Sequence, residues 1–294
     1  QHGIDTDKWD YLSRDVYNLG LPGSGFDHRR LMKFAKVSGD SIAFHRKEIF
    51  NVYHLFLTRF QLHRTVYNHR AALSIDAMIT DAFLRADQML QISDAILDAP
   101  SFMRLTDSVL YRIEHSTDSS LLSARSIVDR IRRRKLYRFV DECLLPEGSR
   151  RRVTEQDITT SQNAGRWGVD LRPEDIVISN VALNFGRKDK NPVESVLFFK
   201  DWEDTNPVHI PSSKVSYVLP TAFEERITRV YLRRQFDSSV DEQQAVGAAR
   251  DAFRRCMHRL NLGSSLPPSG AVGRLPAVPS SQRGATNGVR GAQH

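Results

Sequence analysis

Two acids, a base and a phenol lie close together near the beginning of the sequence, in the segment GIDTDKWDYLSRD (residues 3–15). If a helix begins near Asp7, a rotation of about 100° per residue places Asp7, Lys8, Tyr11 and Asp15 on one narrow face. A face of this composition could act on a polar ligand. A solvated helix start is the alternative, because acidic side chains are common near helix N-termini, where they offset the helix dipole.

Arg59, His63 and Tyr67 form a second candidate stripe, because they recur every four residues in a predicted helix. Asn68 lies beside its end. Taken alone, the stripe is typical of an amphipathic helix with a solvated charged face. Beside the first face it indicates a ligand site. Lys and Arg suit phosphate oxygens, Asp15 suits a sugar hydroxyl, and the tyrosine rings offer a planar surface to a sugar or base.

Asp7 is a candidate metal ligand, but a catalytic transition metal normally needs about three protein ligands. No His-Asp dipeptide occurs in the 294 residues, and no pair of histidines has an obvious metal spacing near Asp7. The other ligands would have to come from elsewhere. The sequence also lacks a Walker-type phosphate loop, a GxSxG elbow and an HExxH pair.

Three basic segments are candidate anion sites: FDHRRLMKF (26–34), HRKEIFN (45–51) and RIRRRKLYR (130–138). In the second segment Lys47 and Asn51 share a helix face close to a helix N-terminus, which favours a phosphate. The third has six basic residues among nine and could bind nucleic acid or direct nuclear import. For each segment a solvated charged face is the alternative, and cations also suit the C-terminus of a helix.

The composition predicts a protein that buries a core, since 40% of its 294 residues are hydrophobic and 26% are charged. A net charge of +7 indicates anionic partners. The two cysteines fit a reducing compartment such as the cytosol or nucleus. No apolar run approaches the roughly 18–20 residues of a membrane helix, and no signal-peptide core is present, so we expect no membrane partner. The start at Gln1 indicates a fragment whose upstream part is missing.

The hydrophobic pattern predicts a mainly α-helical protein with a small mixed α/β lobe. Residues 1–135 are predicted to be mostly helical, with breaks at 19–25, 39–41 and 98–101, and the segment from Lys47 to Leu90 could be two helices. Residues 136–262 form the mixed lobe, with strands at 175–185 and 196–199 and a helical pattern from Thr221 to Leu262. The Gly-, Ser-, Pro- and Arg-rich residues 263–294 are predicted to be a disordered tail.

Several segments resemble a known family. From Gly3 to about Arg234, and in the same order, the sequence is similar to the vertebrate SAM and HD domain-containing deoxynucleoside triphosphate triphosphohydrolases in the segments GIDTDKWDYLSRD, LFLTRFQLHRTVYNHR, IDAMITDAFLRAD, KNPVESVLFF and VLPTAFEERITRVYLRR. The resemblance implies an HD-type helical core and cleavage of a dNTP to a deoxynucleoside and triphosphate. It also implies a homotetramer with allosteric sites for GTP or dGTP and for dNTPs. By resemblance, such a protein controls dNTP pools and restricts viral replication in innate immunity, in the nucleus and also the cytoplasm.

Position by position, the resemblance assigns catalytic roles to Asp7, Lys8, Arg59 and His63. Asp7 matches the last metal ligand of the HD site, whose other ligands the resemblance places upstream of Gln1, and the metal would be Zn, Fe, Mn or Mg. Lys8 and Arg59 match triphosphate-binding positions, and His63 lies in the same pocket. The mechanism implied is attack of metal-activated water on the α-phosphorus, with the cations stabilising the triphosphate leaving group.

The implied substrate contacts also include Tyr11 and Tyr67 around the sugar and Asp15 as acceptor for the 3′-hydroxyl. Asn68 stands where the family has Gln, and its shorter amide weakens the case for contact with the base. The activating-dNTP site is matched by Asp27, Arg30, Phe34, Lys47, Asn51, His69 and Arg70, and the guanine-nucleotide site by Arg134 and Arg138.

Three departures from the family pattern lie near these sites. His45 stands where the family has Arg, Thr65 replaces a basic residue, and Asp201 replaces a lysine. Nucleotide specificity or tetramer stability would change accordingly.

Two functional hypotheses follow. In the first, the chain is the C-terminal part of a dNTP triphosphohydrolase, inactive as residues 1–294 alone because one carboxylate does not make a metal site. In the second, it is a non-enzymatic module for oligomerisation or for binding single-stranded RNA or DNA, as the pI of 9.5 and the arginines at 130–138 would allow.

Overall fold

The computed structural model describes residues 3–21, 25–236 and 238–263 of the chain. Within these residues the helices are α1 (Thr6–Asn18), α2 (His28–Lys33), α3 (Ile49–Leu62), α4 (Arg70–Leu90), α5 (Ile92–Ala95), α6 (Ala99–Phe102), α7 (Ser108–His115), α8 (Leu122–Arg132), α9 (Glu155–Thr159), α10 (Ala164–Trp167) and α11 (Ser239–Arg259). The strands are β1 (Ala35–Ser38), β2 (Ser41–His45), β3 (Arg138–Leu144), β4 (Ile176–Asn184), β5 (Leu197–Phe199), β6 (Val208–His209) and β7 (Glu224–Leu232).

The long helical segment of the first half is two helices, as its length indicated. A π-helical turn over His63–Tyr67 follows α3, and α4 begins after His69, whose ring accepts a hydrogen bond from the Ala71 N–H at 3.2 Å. The prediction that the first 135 residues are mostly helical is confirmed apart from one hairpin. There β1 and β2 are joined by a turn in which Gly39 has a φ of 56°. The alternation of apolar and polar residues in these two short strands covers too few residues to stand out between the neighbouring helical patterns.

Two small sheets are present in the described part of the chain. The first has the order β1-β2-β5-β6, and its β2–β5 pair is parallel, with Phe44 opposite Phe198. The second has the order β3-β7-β4 and is antiparallel throughout. The predicted strands at 175–185 and 196–199 are confirmed by β4 and β5.

The helical pattern expected from Thr221 to Leu262 is wrong in its first third. Residues 224–232 form β7, the central strand of the second sheet, and the helix α11 begins at Ser239. The strand is buried without interruption from Ile227 to Leu232. A strand that is covered on both faces shows no alternation of apolar and polar residues, so its sequence resembles a buried helix.

Within the described residues the core has four hydrophobic clusters, three of them large. The first packs α1 against α3 and includes Leu12, Phe56 and Phe198. The second joins α4, α7 and α8, and the third packs the small residues of α11 against the three-stranded sheet. The first cluster therefore fixes the position of α1 relative to α3, which carry the two candidate stripes.

No helix within the described residues is long and apolar enough to cross a membrane. The predicted disordered tail, apart from Gly263, lies outside those residues. The predicted boundary between residues 135 and 136 stays a prediction.

Candidate functional site

Helix α1 presents the predicted polar face, and its start is fixed by Asp5. The Asp5 carboxylate accepts a hydrogen bond from the Lys8 N–H at 2.8 Å and forms an ion pair with Lys8 Nζ at 2.8 Å. Leu12 and Val16 are the buried residues of this helix. Asp5 thus has the capping role that acidic residues take at helix N-termini, while Asp7 in the first turn is exposed.

The far end of the same face joins the second stripe. The Tyr67 hydroxyl donates a hydrogen bond to Asp15 Oδ2 at 2.6 Å, and the ring centroids of Tyr11 and Tyr67 are 6.3 Å apart. Arg14 also approaches the Asp15 carboxylate, at 3.5 Å. Burial, followed by the hydrogen bond to Asp15, raises the pKa of Tyr67. Tyr67 is therefore a neutral hydroxyl group at physiological pH.

His63 lies against Tyr67, with ring centroids 5.0 Å apart and an interplanar angle of 81°. Burial, followed by the positive charge of Arg59, lowers the pKa of His63 to about 4. His63 is therefore a neutral imidazole at pH 7, able to donate or accept one hydrogen bond per ring nitrogen but carrying no charge. We call Asp15, Tyr11, Tyr67 and His63 the pocket cluster.

Arg59 and Lys8, the predicted phosphate-binding cations, border the pocket cluster on different elements. Arg59 Nη1 donates to the carbonyl oxygen of Asn184, at the end of β4, at 2.6 Å. Lys8 is held by Asp5 as described. Arg59 is thus held by an uncharged acceptor, which lowers the entropic cost of presenting its charge to a ligand, whereas the charge of Lys8 is balanced by Asp5.

Asn68 does not extend toward a ligand. Its side-chain Nδ2 and its backbone N–H both donate to the carbonyl oxygen of His63, at 2.8 and 3.0 Å. The bond to a carbonyl five residues back closes the π-helical turn. The amide therefore stabilises the turn, and the substrate-binding role of Asn68 stays a prediction.

The described residues do not build a metal site. In the described part of the chain no three His, Cys, Asp or Glu side chains lie close enough to hold an ion. Asp7 contributes one carboxylate, fewer than the three or so ligands that catalytic metals require. A metal bound to Asp7 therefore needs ligands from outside the described residues.

The first two basic segments form a connected cluster around a buried acid. Arg30 Nε pairs with Glu48 Oε1 at 2.7 Å, and the Glu48 side chain is 1% exposed. Asn51 Nδ2 donates to Glu48 Oε2 at 3.0 Å, and Asn51 Oδ1 accepts from the Asp27 N–H at 2.8 Å. The Arg30 guanidinium lies over the Phe34 ring at 4.8 Å. Four predicted activator-site residues are thus brought together, and Lys47 precedes Glu48 on the surface.

The other predicted activator-site residues lie elsewhere. His69 caps α4, and Arg70 lies over the ring of Phe139 at 5.4 Å. His45, at the departure from the family pattern, is buried between the rings of Phe34 and Phe199. Its Nδ1 accepts from the Lys47 N–H at 3.1 Å, so it acts as a cap in this position.

The third basic segment, Arg130–Arg138, which we call the arginine run, extends from the last turn of α8 to the start of β3. Arg132 makes two hydrogen bonds to Glu114, at 2.9 and 2.7 Å, and Arg133 Nε pairs with Asp129 at 2.9 Å. Arg138 Nε lies 3.4 Å from Glu242. Much of its charge is therefore balanced within the chain.

Arg134 ends the helix in an unusual conformation. Its φ is 57°, its N–H donates to the Ile131 carbonyl at 3.0 Å, and the Lys135 N–H donates to the Arg130 carbonyl at 2.8 Å. These two bonds define a Schellman motif, in which glycine normally takes the left-handed position.

Sequence reasoning missed three groups that hold the site: Glu48, Arg229 and the carbonyl of Asn184. Arg229 Nη1 donates to the Asn68 carbonyl oxygen, and Arg229 Nε pairs with Glu142 at 2.7 Å. A charged residue inside the otherwise apolar run ITRVYL was the available signal for Arg229, since a buried cation needs a partner.

Comparisons with known proteins agree with the resemblance. Residues 26–165 match the family described as "HD associated region". The chain is 38% identical over 262 residues to "Deoxynucleoside triphosphate triphosphohydrolase SAMHD1 homolog" of Dictyostelium discoideum, an alignment that covers 89% of this chain and 49% of that protein. By sequence, the chain is a relative of the SAMHD1 proteins.

Vertebrate members of the SAMHD1 family match over the same region. Identity is 34% over 272 residues with the Bos taurus protein and 33% over 273 residues with the Homo sapiens protein, both named "Deoxynucleoside triphosphate triphosphohydrolase SAMHD1". These alignments cover 86% of this chain in each case, and 45% and 42% of the relatives. The chain thus spans about half the length of the curated relatives it matches. The resemblance predicted from the sequence motifs is confirmed.

Proposed function

We propose that this chain provides the nucleotide-binding part of a deoxynucleoside triphosphate triphosphohydrolase. The relatives carry that activity in their names. The observation that carries the proposal is the 2.6 Å hydrogen bond between Tyr67 and Asp15, which joins the face of α1 to the turn after α3. Tyr67 also contacts the rings of Tyr11 and His63, so a carboxylate, two phenol rings and an imidazole meet at Tyr67, a set suited to a sugar with a hydroxyl group.

In this proposal the pocket cluster binds the deoxyribose. Asp15 accepts a hydrogen bond from the 3′-hydroxyl, while Tyr11 and Tyr67 contact the sugar ring. Lys8 and Arg59 bind the triphosphate and stabilise its charge as it leaves. His63 is neutral, so it contributes a hydrogen bond rather than a positive charge to the triphosphate.

The SAMHD1 family implies a divalent metal cofactor. Asp7 is its proposed ligand in this chain, and the described residues do not complete the site. We therefore propose that residues 1–294 bind a dNTP without hydrolysing it. The chain's own contribution is to bind and orient the nucleotide.

The same proposal includes regulation and biological role. The cluster of Asp27, Arg30, Phe34 and Asn51 would bind an activating dNTP, and Arg134 and Arg138 would contact GTP or dGTP. The HD-type core, assembly into a homotetramer, control of dNTP pools, antiviral action and nuclear location belong to the proposal by family.

The test is calorimetric titration of residues 1–294 with dGTP. Asp15→Asn should weaken dGTP binding at least tenfold, because it removes a charged acceptor. Asp10→Asn is the matched control, since Asp10 lies on the same helix, is exposed and pairs with Arg14 at 3.2 Å. Equal effects of the two substitutions would contradict the proposed site.

Triphosphate release gives a second measurement. We expect no release above background from residues 1–294. A rate near that of the Homo sapiens relative would show that this account of the metal site is wrong.

The alternative, a module that binds single-stranded nucleic acid, depends on the arginine run. Neutralising Arg132, Arg133 and Arg134 should abolish salt-dependent binding of single-stranded RNA if this alternative holds, whereas Asp15→Asn should leave that binding unchanged. The carboxylate partners of Arg132 and Arg133 favour the nucleotide-binding proposal.

A further inference from the structure

The three-stranded sheet contacts the segment that carries the predicted substrate residues at three points. Arg59 bonds to the Asn184 carbonyl at the end of β4, and Arg64 forms an ion pair with Glu225 on β7. Arg229, also on β7, bonds to the Asn68 carbonyl. Glu225 and Arg229 are four residues apart on one strand and therefore point to the same face of the sheet.

Arg229 is the most buried of these contacts, with its side chain 7% exposed. Its charge is balanced by Glu142, the residue directly opposite on β3, at 2.7 Å from Nε. With Nε held by Glu142, the rigid guanidinium directs Nη1 to the Asn68 carbonyl oxygen. The sheet therefore holds a donor at a fixed position beneath the turn.

The Asn68 peptide transmits this position to the pocket cluster. Asn68 donates twice to the carbonyl oxygen of His63, which closes the π-helical turn. Tyr67, the neighbour of Asn68, donates to Asp15. A chain of hydrogen bonds thus runs from Glu142 through Arg229 and Asn68 to the turn that carries both His63 and Tyr67.

We propose that Arg229 is a positioning residue for the nucleotide site: the sheet fixes the π-helical turn through the Asn68 carbonyl, so that Tyr67 meets Asp15 at the sugar. The inference rests on the proposed function for the identity of the ligand. The contact between sheet and turn can be tested without a ligand.

Arg229→Lys is the decisive variant, because an ammonium group keeps the charge but lacks the planar fork that reaches Glu142 and Asn68 together. Arg233→Lys is the matched control. Arg233 lies four residues further along the chain, directly after the end of β7, and its Nε pairs with Asp81 of α4 at 2.8 Å, away from the turn.

The first measurement is backbone hydrogen exchange of residues 1–294 without nucleotide. Arg229→Lys should raise exchange at least tenfold in amides 63–69, and Arg233→Lys should leave those amides unchanged. Equal exchange in wild type and Arg229→Lys would overturn the proposal.

The second measurement is the ratio of the affinities for dGTP and for 2′,3′-dideoxy-GTP, which differ by the 3′-hydroxyl. Wild type should prefer dGTP, and Arg229→Lys should reduce that preference about tenfold, while Arg233→Lys keeps it. If Arg229 had only a structural role, the substitution would weaken the binding of both nucleotides equally and leave the affinity ratio unchanged. An unchanged ratio would overturn the positioning role even if hydrogen exchange had risen.

Two outcomes separate the proposals. If wild type binds neither nucleotide, the proposed function fails and the exchange measurement still decides whether the sheet fixes the turn. If Arg229→Lys does not fold, Glu142→Gln replaces it, because this variant keeps the guanidinium but removes its charge partner. It should change exchange and the affinity ratio in the same direction, and no change in either would overturn the proposal.

Discussion

The pocket cluster and the arginine run both gather charged and polar side chains, but the defining contact of the cluster joins distant residues, whereas the run also contains contacts within one helix. Tyr67 and Asp15 are 52 residues apart, and the supporting bond from Arg229 to Asn68 spans 161. In the arginine run, Arg133 pairs with Asp129 four residues away, and Arg134 is set by a helix-end motif of six residues. The cluster therefore depends on contacts between distant elements, whereas the run combines local contacts at the end of α8 with pairs to Glu114 on α7 and Glu242 on α11.

The two regions also differ in burial. His63 is half-buried and uncharged at pH 7 because its surroundings disfavour the proton, while the side chains of Arg132 and Arg133 are 51% and 65% exposed. Substitutions in the cluster should therefore change stability and ligand binding together. Substitutions in the run should have small effects on stability, and these effects should decrease as the salt concentration rises.

The largest expected effect is the pH dependence caused by His63. Its pKa is about 4 in the folded protein and about 6.5 when unfolded. Between these pH values the unfolded chain binds a proton that the folded chain does not, so the stability is lost as the pH falls from 6.5 to 4. The loss should reach up to about 3 kcal/mol. Urea unfolding at several pH values measures it, and His63→Asn should flatten the dependence. Equal slopes for the two proteins would contradict the burial of His63.

Next in size is Tyr67→Phe, which removes the hydrogen bond to Asp15. We expect a loss of about 1.5–3 kcal/mol in the free energy of unfolding, because the acceptor is charged and the site is partly buried. Tyr17→Phe is the control, since this residue is 84% exposed on α1, the helix that carries Asp15. If the two variants lost the same stability at pH 7, the link between α1 and the turn would be in error.

Arg134→Gly should stabilise the protein by about 1 kcal/mol, because glycine adopts the left-handed conformation at the helix end without steric cost. Lys188→Gly, at another φ of 57°, is the control and should also be stabilising. Binding of GTP should weaken in Arg134→Gly but not in Lys188→Gly. A stabilised Arg134→Gly that binds GTP as wild type does would remove Arg134 from the proposed guanine-nucleotide site.

The smallest expected effect is that of Arg133→Ala. Arg133 and Asp129 are four residues apart and form an exposed ion pair. The free energy of unfolding, measured by heat or urea, should therefore change by about 0.5 kcal/mol or less, and by still less in 1 M salt. A loss above about 1 kcal/mol that persists in high salt would show that the run is more than a local arrangement.

Local rules predicted a good part of the molecule. The face of α1 follows from helical spacing, the separation of α3 from α4 follows from their combined length, and the strands β4 and β5 follow from apolar runs between turn signals. The motifs quoted for the family resemblance predicted the similarity to the SAMHD1 proteins. The roles of the individual site residues stay predictions.

Other features could not be predicted from local pattern. The strand β7 looks helical in sequence because it is covered on both faces. The intervals of four between Arg59, His63 and Tyr67 predicted a regular helix, yet the chain forms a π-helical turn there, closed by Asn68. Arg229 lies far from the site in sequence, and nothing local shows which carbonyl it meets.

The sequence by itself determined which side chains could bind a nucleotide and that the first face lies on a helix, because spacing and capping act within a few residues. The tertiary structure decided that Asp15 meets Tyr67, that His63 is uncharged, and that Arg229 supports the turn between them. Those outcomes depend on burial and on contacts between residues far apart in the chain. A hydrogen bond or a pKa shift of that kind arises after packing has removed water from the groups involved.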